Sequence, residues 1–235
     1  DGSSEIGIFR QGSGLWAIRG VSRVYFGTAG DLPVPGDYNG DGTDDVAVFR
    51  RVSGLWAARG LTRLYFGGSG DLPVPADYDG AGNCDPAVFR ESAGLWAIRG
   101  ITRAYYGQPL DRPVPADYAG AGKDAIALFR PATGVWAVRG FSRFYFGNDE
   151  DIPVPGCYGG ATVQPAIFRR STGLWAVAGL SRFYFGGLYD LPASGRYAGG
   201  DTDLTAIFRE MSGLWAVREL TRVYYGADGD IPVTR

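Results

Sequence analysis

The chain has 235 residues, a formal charge of −2 and no histidine. That charge gives no support to a nucleic-acid role, which calls for a basic surface, and no apolar run of about 20 residues is present to span a membrane. The missing histidine removes the commonest general base and metal ligand, and with it every Ser-His or Cys-His nucleophile.

The chain opens with Asp1-Gly-Ser-Ser-Glu5, followed by Ile6 to Arg10, and from Phe9 onward the unit FRxxxGLWAxRGxTRxYFG recurs six times. Its Phe-Arg pair stands at Phe9, Phe49, Phe89, Phe129, Phe168 and Phe208, spaced by 40, 40, 40, 39 and 40 residues. A period near 40 made of β-type residues and glycine punctuation is the mark of small sheets in a radial or solenoid array.

Residues 32 to 70 show how one repeat reads. Leu32 to Tyr38 is a short extended segment, held out of helix by two prolines. Asn39 to Asp45 is a loop, Val46 to Arg50 a strand and Val52 to Gly54 a turn. Leu55 to Arg59 is a third strand and Arg63 to Phe66 a fourth. No segment has a helical apolar period. The expectation is a single all-β domain over residues 1–235: a six-bladed β-propeller with four antiparallel strands per blade. Neighbouring blades are expected to bury Phe49, Trp56 and Tyr65 between them. Ile231 to Arg235 aligns with Leu32 to Gly36, so the C-terminal segment is expected to close the ring by joining the N-terminal blade, leaving no open blade edge.

Cys84 and Cys157 fall at different points of units that are not neighbours, so they are expected to be unpaired. No signal peptide is present, although a chain maturing at Asp1 would have lost one. Lys123 is the only lysine against 22 arginines. Arginine's planar fork of donors stacks on aromatics and pairs with carboxylates at two points, which fits structural use between strands. A generally arginine-rich composition is the other reading.

The loop after the first strand of the second repeat carries the clearest chemistry. Asp37, Asn39, Asp41, Thr43 and Asp45 stand at positions 1, 3, 5, 7 and 9 of a DxNxDGxxD pattern. Oxygen ligands at alternate positions, with Gly42 permitting the sharp turn, form a hard-oxygen cage suited to Ca²⁺. A solvated Asx/Gly turn is the alternative. Asp77, Asp79 and Asp85 make a weaker second copy, with Ala81 in the fifth position. Ala119, Ala121 and Ala125 empty the third copy, and Cys157 and Arg196 open the next two. At most one or two Ca²⁺ ions are therefore expected.

On these residues the chain resembles the FG-GAP or VCBS-type repeats of bacterial extracellular proteins, similar in outline to the blades of integrin α-chain propellers. The stretch Pro33 to Arg50 carries the resemblance through its PVPxDYxGxG…AxFR pattern, and the resemblance covers all six repeats. It implies a propeller whose calcium loops join the first and second strands of a blade. It also implies a secreted or cell-surface location.

Fold alone does not license a function. Arg10, Arg50, Arg90, Arg130, Arg169 and Arg209 recur, as do Asp31, Asp71, Asp111, Asp151, Asp190 and Asp230. Two further sets recur: Trp16, Trp56, Trp96, Trp136, Trp175 and Trp215, and Arg23, Arg63, Arg103, Arg143, Arg182 and Arg222. One reading makes all of these structural ion pairs and packing. The other gives the tryptophans and the second arginine set to a multivalent ligand, since Trp and Tyr beside Arg offer a sugar a stacking face rimmed by donors. The loops leaving the fourth strands vary, and Gln108, Leu110, Asn148, Asp149, Glu150, Leu188 and Tyr189 would decorate one rim as drift or as a recognition surface. Nothing places a second carboxylate across a cleft from Asp149, Glu150 and Asp151, so no enzyme is expected. The leading expectation is a non-catalytic extracellular module that binds a glycan or a protein. A structural, self-assembling surface protein is the runner-up.

Overall fold

A computed structural model of the chain describes residues 3–159 and 162–234. The strands in chain order are β1 (Gly7–Arg10), β2 (Leu15–Ile18), β3 (Ser22–Tyr25), β4 (Leu32–Pro33), β5 (Ala47–Arg50), β6 (Leu55–Ala58), β7 (Thr62–Tyr65) and β8 (Asp71–Pro73). There follow β9 (Ala87–Arg90), β10 (Leu95–Ile98), β11 (Thr102–Tyr105), β12 (Arg112–Pro113), β13 (Ala127–Arg130), β14 (Val135–Val138), β15 (Ser142–Tyr145) and β16 (Asp151–Pro153). The last are β17 (Ala166–Arg169), β18 (Leu174–Val177), β19 (Ser181–Tyr184), β20 (Asp190–Pro192), β21 (Ala206–Arg209), β22 (Leu214–Val217), β23 (Thr221–Tyr224) and β24 (Asp230–Val233). Only three single-turn 3₁₀ segments interrupt the described strands and loops.

These strands form six four-stranded antiparallel sheets, the blades of an all-β propeller. The first blade is β24-β1-β2-β3, and the others follow the chain in fours from β4 to β23. The C-terminal strand thus completes the N-terminal blade, with Gly7 opposite Val233, Ile8 opposite Pro232, Phe9 opposite Ile231 and Arg10 opposite Asp230. The chain divides into two compact units, residues 31–149 with the second to fourth blades, and residues 1–30 with 150–235 holding the fifth, sixth and first.

Within each unit the pleat decides which residues face a neighbouring blade. Phe49 lies opposite Trp56, which lies opposite Leu64, so those three share one face of the second blade. Successive residues of a strand point to opposite faces. Leu64 and Phe66 therefore join the Phe49–Trp56 cluster, which packs against Val88 and Ala97 of the third blade. Tyr65 points the other way and is 74% exposed. The expectation that Tyr65 is buried with Phe49 and Trp56 is corrected by this register: it pairs with Leu55, one residue out of phase with Trp56. The same aromatic-on-aliphatic packing joins Phe89, Trp96 and Ala104 to Leu128, Phe168 and Trp175 to Ile207 and Ala216, and Phe208 and Trp215 to Ile8 and Ala17.

The turn between the second and third strands of a blade needs glycine for two reasons. Gly14 has φ of +67°, and a Cβ there would lie 2.5 Å from the Gly27 carbonyl oxygen. Only glycine tolerates both the left-handed backbone and that approach. Cys84 and Cys157 form no disulfide, as expected.

Candidate functional site

Three recurrent sets converge on each blade, and the structure separates their roles. The six first-strand aspartates are buried, from 0 to 2% exposed. Each takes a two-point bond from the arginine that ends the next strand: Asp111 accepts from Arg130 Nε and Nη2 at 2.8 Å each, and Asp230 from Arg10 at 2.7 and 2.8 Å. The same pair forms between Asp31 and Arg50, Asp71 and Arg90, Asp151 and Arg169, and Asp190 and Arg209. The hydrogen bond it donates to its own aspartate, first among the causes, raises each of these guanidiniums above its ordinary value. These arginines are structural.

The tryptophans are equally committed. Trp16, Trp96, Trp136, Trp175 and Trp215 are at most 1% exposed and Trp56 3%. Each packs on its cross-strand Phe with ring centroids 4.9 to 5.2 Å apart. Each indole N–H donates to the backbone carbonyl just past the next strand, as Trp136 does to Phe146 at 2.8 Å. A buried indole with both faces packed has none left for a sugar, so the tryptophan half of the expected ligand set serves the core.

The other half lies at the surface. Arg23, Arg63, Arg103, Arg143, Arg182 and Arg222 are all exposed on the outermost strand of their blades. Two residues on, and hence on the same face, stand Tyr25, Tyr65, Tyr105, Tyr145, Tyr184 and Tyr224, between 72 and 79% exposed. The expectation named Trp and Tyr together as the stacking face; the structure buries the tryptophans and leaves these tyrosines exposed. The signal was their phase, odd with respect to the buried Trp partner. The neighbouring blade supplies the facing wall. Half-buried Tyr106 of the third blade packs against the cluster that includes Leu128 of the fourth; burial raises its phenol, and the charges of Arg143, Arg139 and Arg130 oppose that rise. In the other unit the Arg218 guanidinium lies 4.1 Å from the centre of the Phe183 ring. These two edges bring guanidiniums and half-buried aromatic rings together.

The Asp37–Asp45 loop joins β4 to β5, as the repeat pattern implied. One Asp37 oxygen accepts the N–H of Gly40 at 2.6 Å, and the other accepts that of Gly42 at 2.7 Å. Burial alone would raise Asp37, but the N–H donors of Gly42, Gly40, Asp41 and Asn39 together hold it below the ordinary carboxylate range. Asn39 Oδ1 and Asp41 Oδ1 accept from Asp41 and Thr43 N–H groups at 2.8 and 2.9 Å. Asp45 caps the Tyr38 N–H at 3.0 Å. In the next blade Asp77, Asp79 and Asp85 bring carboxylate oxygens within 4.8 Å of one another. Burial first, and then the neighbouring acids, push Asp45 and Asp85 above their ordinary values. An all-oxygen set with crowded carboxylates fits a hard divalent cation. The acids gather more tightly in the second loop than the sequence ranking implied.

The structure also shows how loops with fewer acids hold. Asp117 still takes the N–H groups of Ala121 and Gly122 at 2.9 and 2.8 Å, although Ala119 and Ala121 stand where acids stood. A clamp that sequence reasoning missed ties three of these loops, those opened by Asp77, Cys157 and Arg196, to the following blade. Asp124 donates its N–H to the Asp77 carbonyl at 2.6 Å and accepts the Asp77 N–H at 3.0 Å. Asp203 does the same for Cys157, and Ser4 for Arg196. Two-point pairing of this kind needs only a short side chain with an acceptor, so the motif hides among Asp and Ser.

Of the variable loops, the one leaving β11 lines a pocket of about 410 Å³ together with Leu72, Glu91, Arg112 and Pro131. Leu110 holds a left-handed φ of 72° there, its N–H bonded to Glu91 at 3.0 Å. No helix among the described residues is long and apolar enough to cross a membrane. No protein-family model, curated protein or solved structure matches the chain.

Proposed function

We propose that the chain is a non-catalytic, secreted or cell-surface module that binds carbohydrate along the outer edges of its blades, on a repeat of the FG-GAP or VCBS type. One observation carries this reading: the same tyrosine is three-quarters exposed in six blades of six. Packing does not require an aromatic there, yet every copy keeps one, with an exposed arginine two residues away. A phenol face with a guanidinium at its rim suits a sugar, which offers an apolar face and hydroxyl acceptors. The absence of histidine and the sixfold repetition of the Asp31-type, Arg10-type and Arg23-type sets support a binding module over an enzyme.

A glycan array followed by calorimetry tests the proposal, with the Tyr145→Ala variant as control. Sugar binding by the parent chain, reduced by one equivalent in the variant at an unchanged melting temperature, is the expected result. An array without signal would count against it. A second reading, self-assembly, is favoured by the unpaired outer edge that each sheet ends on. Concentration-dependent oligomers without glycan binding would be its signature.

Calcium in the loops is part of the proposal. Asp37, Asn39, Asp41, the Thr43 carbonyl and Asp45 would hold one ion, and Asp77, Asp79 and Asp85 a second; the charge would offset crowding among the carboxylates. Ca²⁺ titration at neutral pH is expected to give one or two sites, with heat lost stepwise in Asp41→Ala and Asp79→Ala. Without metal, a carboxylate with a raised pKa weakens folding as pH rises through that value, because its ionised form is the disfavoured one. A cation reverses that effect for Asp45 and Asp85. Calcium should therefore raise the melting temperature at neutral pH and not at pH values below the ordinary carboxylate range. Equal shifts at both pH values would exclude the loops as the site.

A further inference from the structure

We infer that the saccharide taken by these edges is anionic, bearing carboxylate or sulfate groups; the inference rests on the carbohydrate reading above. Neutral sugars are held by acceptors as well as donors, because each hydroxyl gives one hydrogen bond and takes others. The charged groups of the blade edges are almost all guanidiniums, which donate and cannot accept. Along the last hairpin of each blade, Arg19, Arg59, Arg99, Arg139 and Arg218 precede the turn, with Ala178 in the remaining copy. Arg23 and its five counterparts follow it. The apolar tips between them, Val21, Leu61, Ile101, Phe141, Leu180 and Leu220, carry no charge. Glu219 is the one acid in these six turns, and it pairs with Arg218 at 2.7 Å.

The acids of each blade lie elsewhere. The first-strand aspartates are buried beneath the Arg10-type side chains, and the rest of the recurrent acids stand in the loops between first and second strands. Among the described residues, Arg139 and Arg143 have no carboxylate within ion-pair distance, and the exposed ring of Tyr145, two residues from Arg143 on the same strand, shares its face. Two guanidiniums with unused donors beside an aromatic wall match a planar carboxylate or a sulfate through paired N–H bonds. The ligand must then supply the acceptors. The net charge of −2 therefore conceals a segregation of charge: guanidiniums at the outer turns, and acids beneath the Arg10-type side chains and in loops such as Asp37–Asp45 and Asp77–Asp85.

The test titrates the full chain with trigalacturonate, a chondroitin sulfate tetrasaccharide, a neutral xylotriose and an oligothymidylate. A second protein carries Arg→Gln at 23, 63, 103, 143, 182 and 222 together. Binding of one acidic sugar is expected, weakened at least about tenfold in the variant, and weakened likewise near 0.5 M salt as screening takes hold. Trigalacturonate alone would identify carboxylate as the recognised group, and the sulfated sugar alone would identify sulfate. Xylotriose bound as tightly as the acidic sugars would overturn the anionic inference and leave the carbohydrate reading standing. No sugar binding at all would remove both. Tighter binding of oligothymidylate than of any sugar would overturn the inference in favour of nucleic acid. Should the sixfold variant melt early, the comparison among ligands and salts on the parent chain decides alone.

Discussion

Removal of residues 231–235 is expected to lower the melting temperature by on the order of 10 °C and to make the protein aggregate. The deletion strips β24 of all but Asp230 and leaves β1 as the bare inner edge of the first blade. Val233 is buried at 7% exposure, and the space beside Gly7 is filled so closely that a Cβ there would come within 2.9 Å of a Val233 methyl. Losing the buried Val233 and the half-buried Ile231 removes roughly 1.5–3 kcal/mol for each fully buried equivalent. The unpaired N–H and C=O groups of β1 add to that loss. For a chain of this size each kcal/mol shifts the midpoint by about 2–4 °C. A newly bared strand edge is also a template for pairing with other chains. Thermal scans with light scattering measure both effects. A truncated chain that melts with the parent and stays monodisperse would show that β24 contributes little to the first blade.

The strand pattern was legible because each strand is short, bounded by Gly or Pro and repeated, so that one good specimen gave all the others. The offset of the chain ends gave the pairing of β24 with β1 for the same reason. The face of each residue was harder to read. Trp56 and Tyr65 look alike in composition, and only the cross-strand register, Trp56 opposite Leu64, sends Tyr65 outward and Phe66 inward. The candidate site shifted with it, from the indoles to the phenols. The Asp–Arg pairing was legible as regularity, although which arginine of each blade met the aspartate needed the register of β4 with β5 and its counterparts. The clamps made by Asp124, Asp203 and Ser4 were illegible: they join residues more than 45 positions apart, and the partner contributes only backbone. Backbone partners leave no trace in side-chain identity.

Replacing Arg130 with leucine is expected to cost about 3–5 kcal/mol, as is usual when one member of a buried ion pair is removed. The reason lies in Asp111, which is 2% exposed and receives both of its charged hydrogen bonds from Arg130. Leucine fills part of the same space but leaves the carboxylate with only the Gln108 N–H at 3.0 Å. Asp111 in the variant would then hold a proton at a higher pH than an unfolded aspartate. A folded-state pKa raised in this way gives most stability below the ordinary carboxylate value, and stability falls as pH rises through the raised one. The deficit of Arg130→Leu against the parent should therefore be smallest at acid pH and largest at neutral pH. The double variant Asp111→Leu, Arg130→Leu should recover most of the loss, because an apolar pair of similar volume substitutes well for a buried ion pair. It should not recover all of it, since the Gln108 N–H then has no acceptor from residue 111 and costs about 1–3 kcal/mol if it stays dry. Urea denaturation of the three proteins across pH measures each step. A single variant whose deficit is independent of pH, or a double variant no more stable than the single, would mean that the guanidinium stabilises the blade through its stem packing and not through the charge of Asp111.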